Sequence, residues 1–279
     1  MNNFILLLQC QDQKGIVAQV SDFIFRSGGN ITSADQYTTC PQDGQFLMRV
    51  EFVIDAAGHD KAYLEKGFAQ VSLKFRGQYK IFEKKNPLRM GILVSKPDHC
   101  LFDILYLWKS QELLATIAFV ISNYEGHREL VEQYKIPFYF IPATKQDNKE
   151  FEILKLVADT DFLVLARYML LLSEEFLKKY AKDIINIHHG FLPSFKGAHP
   201  YKQALQKGVK VIGATAHFVT EKLDEGPIIS QVVEPVSHKD DLDSLVRKGK
   251  NLEKRALAEA LHNYLDYRVI RHNNKTIVF

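Results

Sequence analysis

An α/β fold in two domains is what this 279-residue chain predicts, and three features carry the prediction. The length exceeds that of the usual single domain. The first part reads in the order βαββαβ, and from residue 88 onward strands and helices alternate regularly. Between the two lies Glu83-Lys84-Lys85-Asn86-Pro87, charged, ended by proline and without apolar periodicity, so a first domain over 1–83 and a second over 84–279 are expected.

Residues 4–10 (Phe-Ile-Leu-Leu-Leu-Gln-Cys) form an apolar run suited to a buried strand. Asp12-Gln13-Lys14-Gly15 then turns the chain into a helix whose Ile16, Val17, Val20, Phe23 and Ile24 follow helical spacing, stopped by Gly28-Gly29. A strand over 31–38, a turn at Pro41-Gln42-Asp43-Gly44 and a strand over 46–54 make a hairpin. In its second arm Phe46, Met48, Val50, Phe52 and Ile54 alternate with Leu47, Arg49, Glu51 and Val53. A second amphipathic helix carries Leu64, Phe68, Val71 and Phe75, and 79–82 supplies the last strand. That order gives a helix-backed antiparallel sheet.

In the second domain, strands are predicted at 89–94, 115–122, 138–141, 162–165 and 183–187, separated by helices near 101–111, 126–135, 148–158 and 173–180. Such alternation predicts a parallel sheet covered by helices, with ligands outside the carboxyl ends of the strands. After Pro200 come one short helix, strands at 212–219 and 227–236, and a long helix over about 240–265.

A formal net charge of +3 is too small to suggest nucleic acid as a partner, and the pairs Lys84-Lys85 and Lys178-Lys179 read as solvated faces. The longest apolar stretch, 162–172, is interrupted by Arg167 and falls short of the roughly 20 residues a bilayer requires. Three cysteines, Cys10, Cys40 and Cys100, are an odd number without metal-type spacing. The start, Met1-Asn2-Asn3-Phe4, has no cationic region of the export type. A cytoplasmic protein with no membrane partner is expected.

The chemistry concentrates in Asn186-Ile187-His188-His189-Gly190-Phe191-Leu192-Pro193-Ser194-Phe195-Lys196-Gly197 and in Leu223-Asp224-Glu225-Gly226-Pro227. Asn186 and His188 close a β-branched run, so on a strand both side chains leave the same face. Asp224 follows a second β-rich run, 212–219, that can return a carboxylate to the same sheet edge. A carboxamide, an imidazole and a carboxylate at one point suit reaction at a carbonyl. Adjacent His188 and His189 would face opposite sides of a strand, and no Cys or carboxylate completes a ligand set with them, so no metal is expected. His189 reads as structural. Cys100 beside His99 reads as a buried free thiol, not a nucleophile. No Walker loop is present, and Gly28-Gly29 ends a helix instead of opening one, which speaks against a nucleotide cofactor.

Asn186-Ile187-His188, the 192–197 loop, His217-Phe218-Val219 and 223–229 together resemble the folate-dependent formyltransferase family, in order and spacing over nearly the whole second domain. Val120-Ile121-Ser122-Asn123, Ile136-Pro137-Phe138, Leu165-Ala166-Arg167-Tyr168-Met169 and Ile212-Gly213-Ala214-Thr215 are in the style of its deformylase branch. The first domain, with Asp12-x-x-Gly15-Ile16-Val17 opening its helix, resembles an ACT domain, the small-molecule sensing module that branch carries. The resemblance implies a ferredoxin-like βαββαβ ACT domain followed by a Rossmann-like, mostly parallel sheet of the formyltransferase type.

It also implies hydrolysis of 10-formyltetrahydrofolate to tetrahydrofolate and formate, balancing one-carbon folate pools and supplying formate for purine synthesis, with the folate as substrate and no cofactor. Asn186 would donate to the formyl oxygen, His188 would hold the oxyanion or move a proton, and Asp224 would orient the imidazole and act as base on water. Tyr168, Met169, Leu170 and Leu172 would wall the pterin and offer it backbone hydrogen bonds, with Gly197, His199 and Val219 completing substrate binding. An amino-acid effector would sit near Asp12, Gly15, Asn30 and Ile31 where ACT modules pair, implying a homo-oligomer.

Glycinamide ribonucleotide formyltransferases share this fold but cradle a phosphate in a glycine-rich loop after the first strand. Here that position reads Val94-Ser95-Lys96-Pro97-Asp98-His99-Cys100, with no glycine and with a proline lacking an N–H, so water is the expected acceptor. A methionyl-tRNA formyltransferase would need a basic carboxyl-terminal domain beyond Phe279. The competing expectations are a formyltransferase with a non-phosphorylated amine acceptor and a non-catalytic ACT-containing sensor.

Overall fold

A computed structural model describes residues 2–40, 43–55, 59–194 and 200–279. The chain forms two compact units: Met1–Pro87 with Tyr267–Ile270 and Ile277–Phe279, and Leu88–Asp266 with Arg271–Thr276.

The first unit runs β1 (Asn2–Gln11), α1 (Ile16–Arg26), β2 (Gly29–Thr38), β3 (Gln45–Ile54), α2 (Lys61–Phe75) and β4 (Gln78–Glu83), the predicted βαββαβ order. Its sheet is antiparallel in the order β2-β3-β1-β4. Gly15, at φ 90°, supplies the left-handed turn that opens α1, and the Asp60 carboxylate caps α2 by accepting from the Tyr63 N–H. Phe4, Leu6 and Leu8 of β1 and Met48, Val50 and Phe52 of β3 pack with Val20, Ile24 and Phe68 of the helices, as two-residue and helical periodicity require. Leu47 and Arg49 on the opposite face of β3 are buried as well, so simple inside-outside alternation describes only half of that strand. Pro41 and Gln42 of the predicted turn lie outside the described residues.

In the second unit the elements are β5 (Leu88–Val94), α3 (His99–Lys109), β6 (Ala115–Ser122), α4 (Arg128–Glu132), β7 (Phe138–Phe140), α5 (Glu150–Val157), β8 (Phe162–Leu165), α6 (Glu174–Tyr180), β9 (Asp183–His188), α7 (Pro200–Lys207), β10 (Val211–Phe218), β11 (Ile228–Pro235) and α8 (Leu242–Leu265). The seven strands lie in the order β11-β10-β9-β8-β5-β6-β7. β9, β8, β5, β6 and β7 are parallel, and β10 and β11 are antiparallel additions at one edge. Met90 to Val94 and Phe162 to Leu165 are buried without a break, as expected for strands covered on both faces.

From β5 the chain moves outward through β6 and β7, then returns to place β8 on the other side of β5. That reversal makes the carboxyl ends of β5 and β8 a topological switch point, the place where open α/β sheets bind ligands. No helix among the described residues is long and apolar enough to cross a membrane.

A final hairpin, β12 (Val269–His272) and β13 (Lys275–Val278), adds to the predicted elements and closes through Asn273 at φ 54° and Asn274. Two β-branched runs joined by Asn-Asn carry that signal, but each is only four residues long.

Candidate active site

Strand β9 delivers the first two groups. Alternation sends Asn186 and His188 to one face at its carboxyl end, as the sequence predicts. Because β10 runs antiparallel beside β9, with Thr215 opposite His188 and His217 opposite Asn186, a third polar side chain comes with the register. His217 Nε2 lies 3.1 Å from Asn186 Nδ2, and His217 Nδ1 lies 2.9 Å from the Phe218 carbonyl oxygen. With Nδ1–H donating to that carbonyl, Nε2 accepts from the Asn186 amide and fixes which way the carboxamide points. Only the cross-strand register reveals this role for His217.

The loop after β10 brings the carboxylate. It closes on the strand through the Phe218 N–H, which donates to the Pro227 carbonyl at 2.9 Å. At Gly226 a Cβ would stand 1.7 Å from the Phe218 carbonyl oxygen, so only glycine lets the loop lie this close. Asn274, in the turn of the terminal hairpin, donates to the Glu225 carbonyl at 3.1 Å. Asp224 itself takes the left-handed conformation at φ 54°, which Asp tolerates better than most residues.

Its carboxylate lies 3.2 Å from His188 Nδ1 and 3.7 Å from His217 Nε2, and the three side chains are 8 %, 5 % and 3 % exposed. Burial alone would raise the Asp224 pKa. The His188 imidazole, donating from Nδ1, outweighs it and holds the carboxyl below the usual carboxylate range. Asp224 is therefore ionised in the resting protein and fixes the Nδ1 side of His188. Three of the sequence-predicted residues, Asn186, His188 and Asp224, thus come together.

Beyond His188 the chain is anchored by Thr215, whose hydroxyl accepts from the Leu192 N–H at 3.1 Å and donates to the Gly190 carbonyl at 2.9 Å. Gln231 Nε2 donates to the Leu192 carbonyl at 2.8 Å. Gly197 and His199 lie outside the described residues.

The segment after β8 lies at the neighbouring strand end. Tyr168 is part of the core, while Leu170, Leu172 and Val219 pack against that same cluster and Met169 is half exposed. Ser95, which follows β5, pins the segment: its N–H donates to the Arg167 carbonyl at 3.2 Å, and its hydroxyl accepts from the Met169 N–H at 3.0 Å. Glu150 accepts from the Ser173 N–H at 2.6 Å at the other end. The Met169 N–H is thus already engaged, so backbone groups open to a ligand must come from its neighbours. Val219 donates its N–H to Ile184, at the amino-terminal half of β9 and about 13 Å along that strand from His188.

The candidate effector residues do not converge within one copy. Asp12 and Gly15 precede α1, and the Asp12 N–H donates to the Gly44 carbonyl. Asn30 and Ile31 follow α1 and pair with Val53 and Phe52. The helix between them spans about 16 Å, and β3 runs from one pair to the other. A cavity of about 270 Å³ at the Gln11 end is lined by Gln9, Gln11, Gln45, Arg76 and Gln78 among others.

One group of possible metal ligands, His99, Cys100 and Glu253, exists among the described residues. Burial pushes the Cys100 thiol well up, and both Glu253 oxygens already have partners, from His99 at 2.8 Å and from the Tyr201 hydroxyl at 2.6 Å. The Arg167 guanidinium, 3.2 Å from Glu253 Oε2, places a positive charge where a cation would have to sit. That donor set does not suit a metal ion.

Comparison with known proteins follows the same division. Residues 88–261 match the formyl transferase family model, and residues 4–61 match that of the ACT domain. The chain is 46 % identical over 279 residues to the formyltetrahydrofolate deformylase of Bacillus subtilis, covering 98 % of this chain and 93 % of that one. A formyltetrahydrofolate deformylase structure from Pseudomonas syringae superposes with a TM-score of 0.95 at 42 % identity, covering 100 % of this chain and 95 % of the other. Glycinamide ribonucleotide transformylase 1 from Symbiobacterium toebii gives a TM-score of 0.66 at 28 % identity, covering 71 % of this chain and 97 % of that one.

Proposed function

The chain belongs to the formyltetrahydrofolate deformylase family, and from that premise we propose that it hydrolyses 10-formyltetrahydrofolate to tetrahydrofolate and formate at the cluster of Asn186, His188 and Asp224. The observation that carries this reading is the 3.2 Å approach of a buried, ionised Asp224 to His188, beside a carboxamide held by His217.

The formyl oxygen lies between the Asn186 amide and His188, where developing negative charge meets a donor oriented before reaction. One such donor is worth about 3 kcal/mol of barrier. Water adds to the formyl carbon, its proton passing to the His188–Asp224 pair. A carboxylate held this low is a weak base, so Asp224 works mainly by stabilising the imidazolium that forms. Collapse breaks the carbon–nitrogen bond, the folate nitrogen takes a proton through the same pair, and formate leaves with an oxygen from water. None of these steps calls for a cofactor.

Water as acceptor is supported by the stretch after β5. The Ser95 N–H is spent on the Arg167 carbonyl, Pro97 has none, and Asp98 brings negative charge to the start of α3, which leaves a poor cradle for phosphate. The pterin would lie along Tyr168, Met169, Leu170 and Leu172, with Gly197, His199 and Val219 as further contacts. Incubation of the chain with 10-formyltetrahydrofolate and no added amine should release formate and tetrahydrofolate in equal amounts. A chain that releases formyl groups only when an amine is supplied is a transferase, and one that binds folate without turnover is a sensor.

The ACT module, taken through about residue 83, would regulate this otherwise wasteful reaction by binding an amino acid. Since Asp12–Gly15 and Asn30-Ile31 lie at opposite ends of α1, an effector touching both requires a second copy, which makes the homo-oligomer part of the proposal. Calorimetric titration with a panel of amino acids should give saturable heat with at least one; no heat with any would rule regulation of this kind out. Three unpaired cysteines favour the reducing cytoplasm as the setting.

A further inference from the structure

We propose that Glu253 is a positioning residue: through Arg167 it clamps the segment 166–172 in the shape that receives folate. This rests on the hydrolase reading. Glu253 projects from the middle of α8 and is 1 % exposed. It gathers three partners from separate places: His99 from the start of α3, Arg167 from the turn after β8, and Tyr201 from the start of α7, next to the loop that follows His188.

Helix α8 is cut back to admit one of them, since a Cβ on Gly249, one turn before Glu253, would stand 2.0 Å from the Tyr201 ring. Arg167 holds a left-handed backbone at φ 65°, a conformation that costs an arginine about 1–2 kcal/mol and persists only where its surroundings demand it. The demand comes from both ends of the residue, with the main-chain carbonyl bonded to Ser95 and the guanidinium set against Glu253. Burial would raise the Glu253 pKa, but the His99 hydrogen bond, the Arg167 charge and the Tyr201 hydroxyl outweigh it, so the carboxylate stays ionised. A buried ion pair contributes little net stability compared with apolar side chains of the same volume. Arg167 Nε meets Glu253 Oε2 at 3.2 Å without hydrogen-bond geometry, so what the pair supplies is an attraction of charges that holds the turn leading into Tyr168.

The test compares Glu253→Gln with the charge-free double variant Arg167→Leu/Glu253→Leu, which removes both ions together. Tetrahydrofolate affinity by calorimetry should weaken about 10- to 100-fold in each, and KM for formate release should rise in parallel while kcat changes far less. Backbone amides of 166–172 should exchange hydrogen about tenfold faster, with β9 and β10 unchanged. A folded double variant with wild-type affinity and wild-type exchange at 166–172 would overturn the assignment, and so would failure of the double variant to fold, which would mark the pair as structural. A wild-type chain that releases no formate from 10-formyltetrahydrofolate would refute the hydrolase reading instead, and the exchange measurement then decides the clamp by itself.

Discussion

Asp224→Asn lowers kcat for formate release by about 10³- to 10⁴-fold, at the upper end of what a positioned acid-base group contributes. Asparagine is the informative replacement because residue 224 sits at φ 54°, where Asn is as comfortable as Asp. The side chain keeps its shape and the loop its path, so the Gly226 contact with β10 survives. Charge is what disappears. His188 Nδ1 then faces a neutral amide, the ring can take the wrong tautomer, and the imidazolium formed during water attack has no counter-ion at 3.2 Å. Tetrahydrofolate binding, measured by calorimetry, should change by less than about threefold, because only transition-state contacts are lost. A rate near that of the wild type would remove Asp224 from the mechanism. Asp224→Ala is a poorer probe, since it adds about 1–2 kcal/mol of left-handed strain.

His188→Ala lowers kcat by about 10²- to 10⁴-fold, again with folate affinity nearly unchanged. On the proposed mechanism the imidazole, backed by Asp224, takes the proton of the attacking water and passes it on, so its loss removes proton transfer. His217 stands 3.7 Å from the same carboxylate but cannot replace it. Its Nε2 is engaged by Asn186 and its Nδ1 by the Phe218 carbonyl. Single-turnover mixing should show substrate bound at the normal level and formate appearing slowly. Weak substrate binding with normal chemistry would mean that His188 shapes the pocket without taking part in the reaction.

Much of the candidate cluster's geometry was legible because it depends on local order. Two-residue periodicity placed Asn186 and His188 on one face, and the β-rich run 212–219 was enough to return Asp224 to the same sheet edge. The four-stranded sheet and the parallel core of the second unit were equally legible, since alternation and helical spacing are short-range signals. His217 was not, because its function exists only once β10 pairs antiparallel with β9 and sets it opposite Asn186. Glu253 reads in sequence as one of three acids on a long helix, with Asp243 and Glu259, and its partners come from three distant segments. The placing of the candidate effector residues was not legible either, since α1 carries Asp12 and Gly15 to one end of the sheet and Asn30 and Ile31 to the other. The terminal hairpin was lost to its four-residue strands, although Asn274 of its turn steadies the loop that holds Asp224.

A double-mutant cycle on kcat, using Asp224→Asn, His188→Ala and the two combined, asks most directly whether the carboxylate and the imidazole act as one unit on the formyl group. If they do, the combined variant is no slower than about the slower single variant, because either change already disables the pair. Losses that multiply in the combined variant would show two groups working independently, and the pairing of Asp224 with His188 would then have no part in activating water.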